Sequence, residues 1–119
     1  MTFEPTPEEM FEGVHEAALF LKALSNDSRM LILCKLAETD EMSVGELETE
    51  LKFRQSKLSQ HLGLLRAERL VTTRRDGKLV YYRLVSDEVR QTLELMRSLF
   101  CSEEAVLRRR GEKSRFEAA

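Results

Sequence analysis

Apolar residues recur along the chain at spacings that each specify an element, and the punctuation between them marks where each begins. Met10, Val14, Ala17, Ala18, Leu21 and Leu24 lie three or four residues apart, which predicts an amphipathic helix. Ahead of them, Thr6-Pro7-Glu8-Glu9 offers a cap, a proline suited to the first turn and a glutamate placed to complete a capping box. Ser25 to Asp27 then interrupt the pattern, and "SRMLILCKLAE" predicts a second helix to about Glu38. Its apolar residues cover much of its circumference, so a central position is expected. Ser43-Val44-Gly45-Glu46 is another capping box, opening a short third helix that ends near Leu51. After a turn at Lys52 to Arg54, Leu58, Leu62 and Leu65 form the stripe of a fourth helix. The other face of that helix carries Ser56, Ser59, Gln60 and Gly63, which are small and hydrogen-bonding.

The period then changes. "LVTTRR" and "KLVYYRL" are β-prone runs on either side of Asp76-Gly77, a strong hairpin signal. With Asp76 and Gly77 as the turn, Arg75 faces Lys78, Thr73 faces Val80 and Val71 faces Tyr82. Ser86, Asp87 and Glu88 start a last long helix with Val89, Leu93, Met96 and Phe100 on one stripe. It is expected to end near Arg108 to Gly111, with residues 111–119 frayed. The fold class is therefore mainly α with a β-hairpin wing: helix, helix, short helix, helix, hairpin, helix, in a single domain over residues 1–119. This is the order of a winged helix-turn-helix.

Charge changes the picture more than composition does. The formal net charge is only −2, yet residues 1–51 carry 3 basic and 12 acidic side chains, and residues 52–83 carry 9 basic and 2 acidic. Residues 84–119 balance at 7 against 7. A contiguous cationic third in an acidic chain fits a polyanion-binding face, although a solvated surface is the plainer alternative. It coincides with the fourth helix and the hairpin, where amide and hydroxyl groups can meet base edges and a doubly basic tip can meet phosphates. The acidic amino terminus has no apolar core of a targeting signal, and runs such as "AALFL" are too short to cross a bilayer, so a cytoplasmic location with no membrane partner is expected. At 119 residues a chain gains stability from a partner subunit, and a homodimer is expected.

"LKALSNDSRMLIL", "MSVGELETEL", "QSKLSQHLGLLRAERLV" and "RRDGKLVYYRL", in that order and spacing, resemble the ArsR family of small dimeric bacterial repressors from about Ala17 to Cys101. The resemblance implies that the first and last helices build a dimer interface and that the fourth helix reads double-stranded operator DNA. By position it places Gln55, Ser56, Ser59 and Gln60 toward the major groove, with Lys57, Arg74, Arg75 and Lys78 as phosphate contacts. His61, beside Leu58 and Leu62, reads as a packing residue. One departure is Arg69, where the family commonly has glycine at the turn into the hairpin; a positive φ there strains an arginine.

Metal ligands are scarce. No cysteine lies near "SVGEL", the last helix has no histidine, and His15 and His61 are the only two in the chain, so no metal and no cofactor are expected. Two cysteines remain, Cys34 and Cys101, separated by 67 positions and matching no CxxC or zinc-ribbon spacing. Taken alone, Cys34 among Met30, Leu31 and Ala37 is core filling. Cys101 shares its helical face with Glu94, Arg97, Ser98, Glu104 and Ala105, a polar set open to small oxidants. The pair resembles the dithiol subgroup of the family, which implies sensing of persulfides, polysulfides or other oxidants, with Cys34 as the protected partner and the operator released once the two are bridged. The alternative is an ArsR-like repressor with structural cysteines and a metal or small-molecule inducer. A thiol oxidoreductase acting through Cys101 lacks a CxxC, a nearby histidine and a cofactor loop, and the intact basic hairpin weighs against a module that has lost DNA binding, so the chain is not expected to be an enzyme.

Overall fold

The computed structural model describes residues 2–118, with side chains to Arg115. Its elements are α1 (Pro7–Leu24), α2 (Asp27–Glu38), β1 (Met42–Ser43), α3 (Val44–Leu51), α4 (Gln55–Ala67), β2 (Val71–Asp76), β3 (Leu79–Leu84), α5 (Asp87–Phe100) and α6 (Glu103–Ala118). The chain divides into two compact units, residues 1–85 and 86–119.

In the first unit, both expected capping boxes form. The Thr6 hydroxyl accepts from the Glu9 N–H at 3.1 Å while Glu9 accepts from the Thr6 N–H at 2.7 Å, and Ser43 and Glu46 repeat the exchange at 3.1 Å each way. Each box satisfies two donors that a helix start leaves unpaired. At the joint between α1 and α2, Arg29 donates through Nε to the Ala23 carbonyl at 2.6 Å and through Nη2 to the Lys22 carbonyl at 3.3 Å. A cation thereby closes the carboxyl end of α1, where the helix dipole favours positive charge.

α2 packs against α3, α4 and β3. Ile32, Leu33 and Leu36 are buried, and they meet a core completed by Met42, Leu47, Leu58, Leu62, Leu65, Leu70, Val71 and Leu84. That face of α2 is fully covered, and the opposite side is open at Leu31, which is 51% exposed. The stripe along α1 fares similarly. Leu24 is buried, but Met10, Val14 and Leu21 are all more than half exposed, as is Phe11 at 75%.

The sheet has the order β1-β3-β2, entirely antiparallel. β1 was not legible as a strand: two residues, Met42 and Ser43, pair with Tyr82 and Tyr81, and Ser43 doubles as the cap of α3. The hairpin forms, but its register differs from the expected one. Asp76 faces Leu79, Arg75 faces Val80, Arg74 faces Tyr81 and Thr73 faces Tyr82, so the turn is Gly77-Lys78 rather than Asp76-Gly77. Gly77 has φ +63° and Lys78 stays at negative φ, the pattern of a turn with glycine at its first central position. The slip amounts to two positions, which keeps every side chain on its expected face.

In the second unit, the long terminal helix is interrupted. Cys101 caps α5, its N–H donating to the Arg97 carbonyl at 2.8 Å, and the Ser102 hydroxyl accepts from the Ala105 N–H at 3.1 Å to start α6. Ser-Glu-Glu is a helix-start signal that the continuing apolar spacing concealed. α6 then runs through Gly111 to Ala118, where the sequence suggested a helix end and a frayed tail. Val89, Leu93 and Ala105 are buried in this unit, whereas Leu95, Leu99 and Phe100 are exposed.

Candidate nucleic-acid interface and the two thiols

α4 is strictly two-sided. Leu58, Leu62 and Leu65 are at most 1% exposed, while Gln55, Ser56, Lys57, Ser59 and Gln60 all face solvent. The turn before the helix is made by Lys52 at φ 56°, and no acidic residue stands in the first turn of α4. The amino end of the helix thus offers unpaired N–H groups and a partial positive charge beside its polar face. Lys57 lies over the Phe53 ring with Nζ 4.2 Å from its centroid, which steadies the ammonium at the start of the helix. His61 is half-buried, and its pKa is held below the ordinary imidazole value, first by burial and then by the charges of Arg29 and Lys57. A neutral, packed imidazole agrees with the packing role read from its neighbours.

At the other end of α4 the departure at Arg69 takes definite form. The Arg69 N–H donates to the Arg66 carbonyl and the Leu70 N–H to the Leu65 carbonyl, each at 3.0 Å, with Arg69 at φ 60°. This is the paired closure of a Schellman motif, and its left-handed position favours glycine. Arg69→Gly is therefore expected to stabilise the fold by about 0.5–1 kcal/mol, the relief of left-handed strain outweighing the added freedom of the unfolded chain. Thermal unfolding should show a rise of a few degrees.

The wing carries Arg74, Arg75 and Lys78, all exposed. Arg75 stands just before the turn and Lys78 within it, with no acidic partner among the ion pairs of the described residues. Arg74 is held differently. Its Nε donates to Glu41 Oε2 at 3.1 Å, its Nη2 donates to Glu41 Oε1, and its guanidinium carbon sits 4.6 Å from the Tyr81 ring centroid. The hydrogen bonds lower the Glu41 pKa and raise that of Arg74, so both stay ionised. Glu41 was missed in the sequence, because it lies outside the basic segment and only the β1–β3 pairing brings it to the wing.

Cys34 and Cys101 are both exposed thiols. For Cys34 this corrects the expectation of a protected residue. Ile32, Leu33 and Leu36 define the buried face of α2, and Cys34 projects from the side opposite them, near the exposed Leu31. Of its apolar neighbours at helical spacing, Leu31 is exposed while Met30 and Ala37 are half-buried. Cys101 sits at the α5–α6 junction rather than within a continuous helix. Among the described residues, no three His, Cys, Asp or Glu side chains gather to hold a metal ion, and no helix is long and apolar enough to cross a membrane.

Residues 26–73, the span from the start of α2 into β2, match the model of the bacterial regulatory protein, arsR family. The transcriptional activator HlyU of Vibrio cholerae is 45% identical over 94 residues, covering 79% of this chain and 86% of that protein. The chain belongs to the arsR family of bacterial regulatory proteins. A second arsR relative, the biofilm growth-associated repressor of Agrobacterium fabrum, is 44% identical over 77% of this chain and 78% of its own. Among solved arsR structures, reduced HlyU from Vibrio cholerae superposes with a TM-score of 0.74 at 44% identity, covering 80% of this chain and 99% of that one. The repressor BigR from Xylella fastidiosa gives 0.75 at 39% identity, covering 83% and 100%. As an arsR regulator the chain is a DNA-binding transcriptional regulator with a winged helix-turn-helix, not an enzyme.

Proposed function

We propose that the protein is a homodimeric repressor that holds double-stranded operator DNA while Cys34 and Cys101 are reduced, and releases it when reactive sulfur species or an oxidant bridge them. The observation that carries the DNA reading is the two-sided α4, whose leucines anchor it while Gln55, Ser56, Ser59 and Gln60 face outward. Those side chains are the direct readers of base edges, and Lys57, Arg75 and Lys78 contact phosphates. Arg74 joins them only by leaving Glu41. The sign of regulation follows the relatives named as repressors. The exposed apolar faces of α1 and α5, with Met10, Phe11, Val14, Leu95 and Leu99, support a second copy as the partner that covers them.

The sulfur reading rests on two thiols that are both open to solvent. One thiolate attacks the outer sulfur of a persulfide, takes it as a cysteine persulfide and releases the thiol of the donor. The second thiolate then attacks the first cysteine sulfur and expels hydrosulfide, closing a disulfide. Two cysteine thiols are oxidised and one sulfane sulfur is reduced to sulfide. A direct disulfide needs Cα atoms roughly 4.4–6.8 Å apart, and retained sulfur atoms lengthen that span. The test is fluorescence anisotropy of the reduced protein on DNA from its own promoter, repeated after glutathione persulfide and after a dithiol reductant. Release by the persulfide and recovery with the reductant are expected; a complex indifferent to the persulfide, yet dissociated by a metal ion, defeats the sulfur reading.

A further inference from the structure

We propose that Glu41 sets the affinity of the wing for DNA by withholding Arg74 from the phosphates. The inference rests on the wing lying against DNA, and it assigns a role to a residue outside the basic segment.

The geometry builds the restraint from three strands. Ser43 on β1 and Arg74 on β2 both face Tyr81 on the central β3, so the phenol ring stands in the middle of a short row across the sheet. Glu41 precedes Ser43 by two residues, and an extended chain returns its side chain to the face that Ser43 occupies. The Arg74 guanidinium lies over Tyr81 and presents its Nε and Nη2 edge to both carboxylate oxygens of Glu41. A fork gripped along that edge and stacked on a ring is fixed in direction as well as neutralised in charge. The side chains remain reachable, with Arg74 51% and Glu41 30% exposed, so DNA can meet the pair without any rearrangement of the core.

The consequence is electrostatic. Arg75 and Lys78 stand outside the ion pairs of the described residues and, with Asp76 between them, leave the tip a net positive charge, whereas the Glu41–Arg74 pair brings none. Each phosphate neutralised by a protein cation releases counterions and steepens the fall of affinity with salt by about 0.9 in the logarithmic slope. A wing with Glu41 intact therefore contributes one contact fewer than its arginines and lysines suggest. Glu41 lowers attraction to any DNA, irrespective of sequence, and leaves the reading by α4 to decide where the protein stays.

The test uses the full chain, the isosteric E41Q, and the slope of affinity against salt on a non-specific duplex. E41Q is expected to steepen the slope by about 0.9 per wing, which is roughly a threefold to fourfold larger loss of binding between 50 and 200 mM salt. The double variant E41Q/R74Q, neutral at both positions like the intact pair, should return to the wild-type slope. A wild-type slope in E41Q, or a slope in E41Q/R74Q as steep as that of E41Q, overturns the proposal. R75Q and K78Q separate the two levels. If they flatten the slope and E41Q does not steepen it, Glu41 has no such role; if none of the four substitutions moves it, the wing is not on the DNA.

Discussion

Cys101→Ser is expected to leave operator binding by the reduced protein within about twofold of wild type and to abolish release by persulfide. The thiol is exposed at the junction of α5 and α6, and its backbone N–H already caps α5, so a serine keeps both the space and the helix end. What it removes is the second sulfur. The remaining Cys34 can still accept a sulfane sulfur, but with no thiolate to attack it the reaction stops at a persulfide that a reductant reverses. Cys34→Ser should fail in the same way, because that residue lies on the uncovered side of α2 and its loss leaves Ile32, Leu33 and Leu36 undisturbed. Mass spectrometry of the treated wild type should show a bridged species, lighter by two hydrogens or carrying added sulfur atoms with the same loss of two hydrogens, and neither single variant should form it within one chain. Release that survives either substitution means that the switch is elsewhere.

The burial of Cys34 is also where local pattern reading went astray. Met30, Leu31, Cys34 and Ala37 share helical spacing, and that spacing is what a core face looks like. Ile32, Leu33 and Leu36 satisfy the same criterion on another side of the same helix, and they won because α3, α4 and β3 lie against them. A helix apolar on most of its surface does not itself say which face the rest of the chain will cover. The same limit applies to α1, whose stripe was legible as amphipathic but is left largely uncovered by its own chain.

Elements with local chemistry were read correctly. The capping boxes at Thr6 and Ser43, the leucine stripe of α4 and the hairpin all follow from residues within a few positions of one another, while the left-handed Arg69 was legible only through the family resemblance. Features made by distant pairing were not legible. β1 exists because β3 offers an edge to two residues, and Glu41 meets Arg74, 33 positions away, only because of that pairing. The turn register failed for a different reason: Asp76-Gly77 and Gly77-Lys78 both place a glycine at a central position, and sequence alone did not choose between them.

Leu62→Ala is expected to cost about 2–5 kcal/mol of stability, the usual penalty for emptying a buried leucine site. Against a total of about 5–15 kcal/mol for a small domain, that is enough to leave much of the protein unfolded under modest denaturant. α4 depends on this packing because its local signals are weak. Arg54 gives it no side-chain cap, and Gly63 in its interior lowers its own helical preference by about 1 kcal/mol relative to alanine. Leu58, Leu62 and Leu65 therefore hold the polar face in position. Ser59→Ala and Gln60→Ala should separate the two faces. Both residues are exposed on α4, so urea unfolding should shift by no more than about 0.5 kcal/mol. If these side chains read bases, operator affinity should fall by about 1–3 kcal/mol for each while affinity for a non-specific duplex holds. Loss of both affinities together, with the fold intact, would assign Ser59 and Gln60 to the phosphates instead. Loss of neither would move the reading edge of α4 toward Gln55 and Ser56, the exposed polar residues at its amino end.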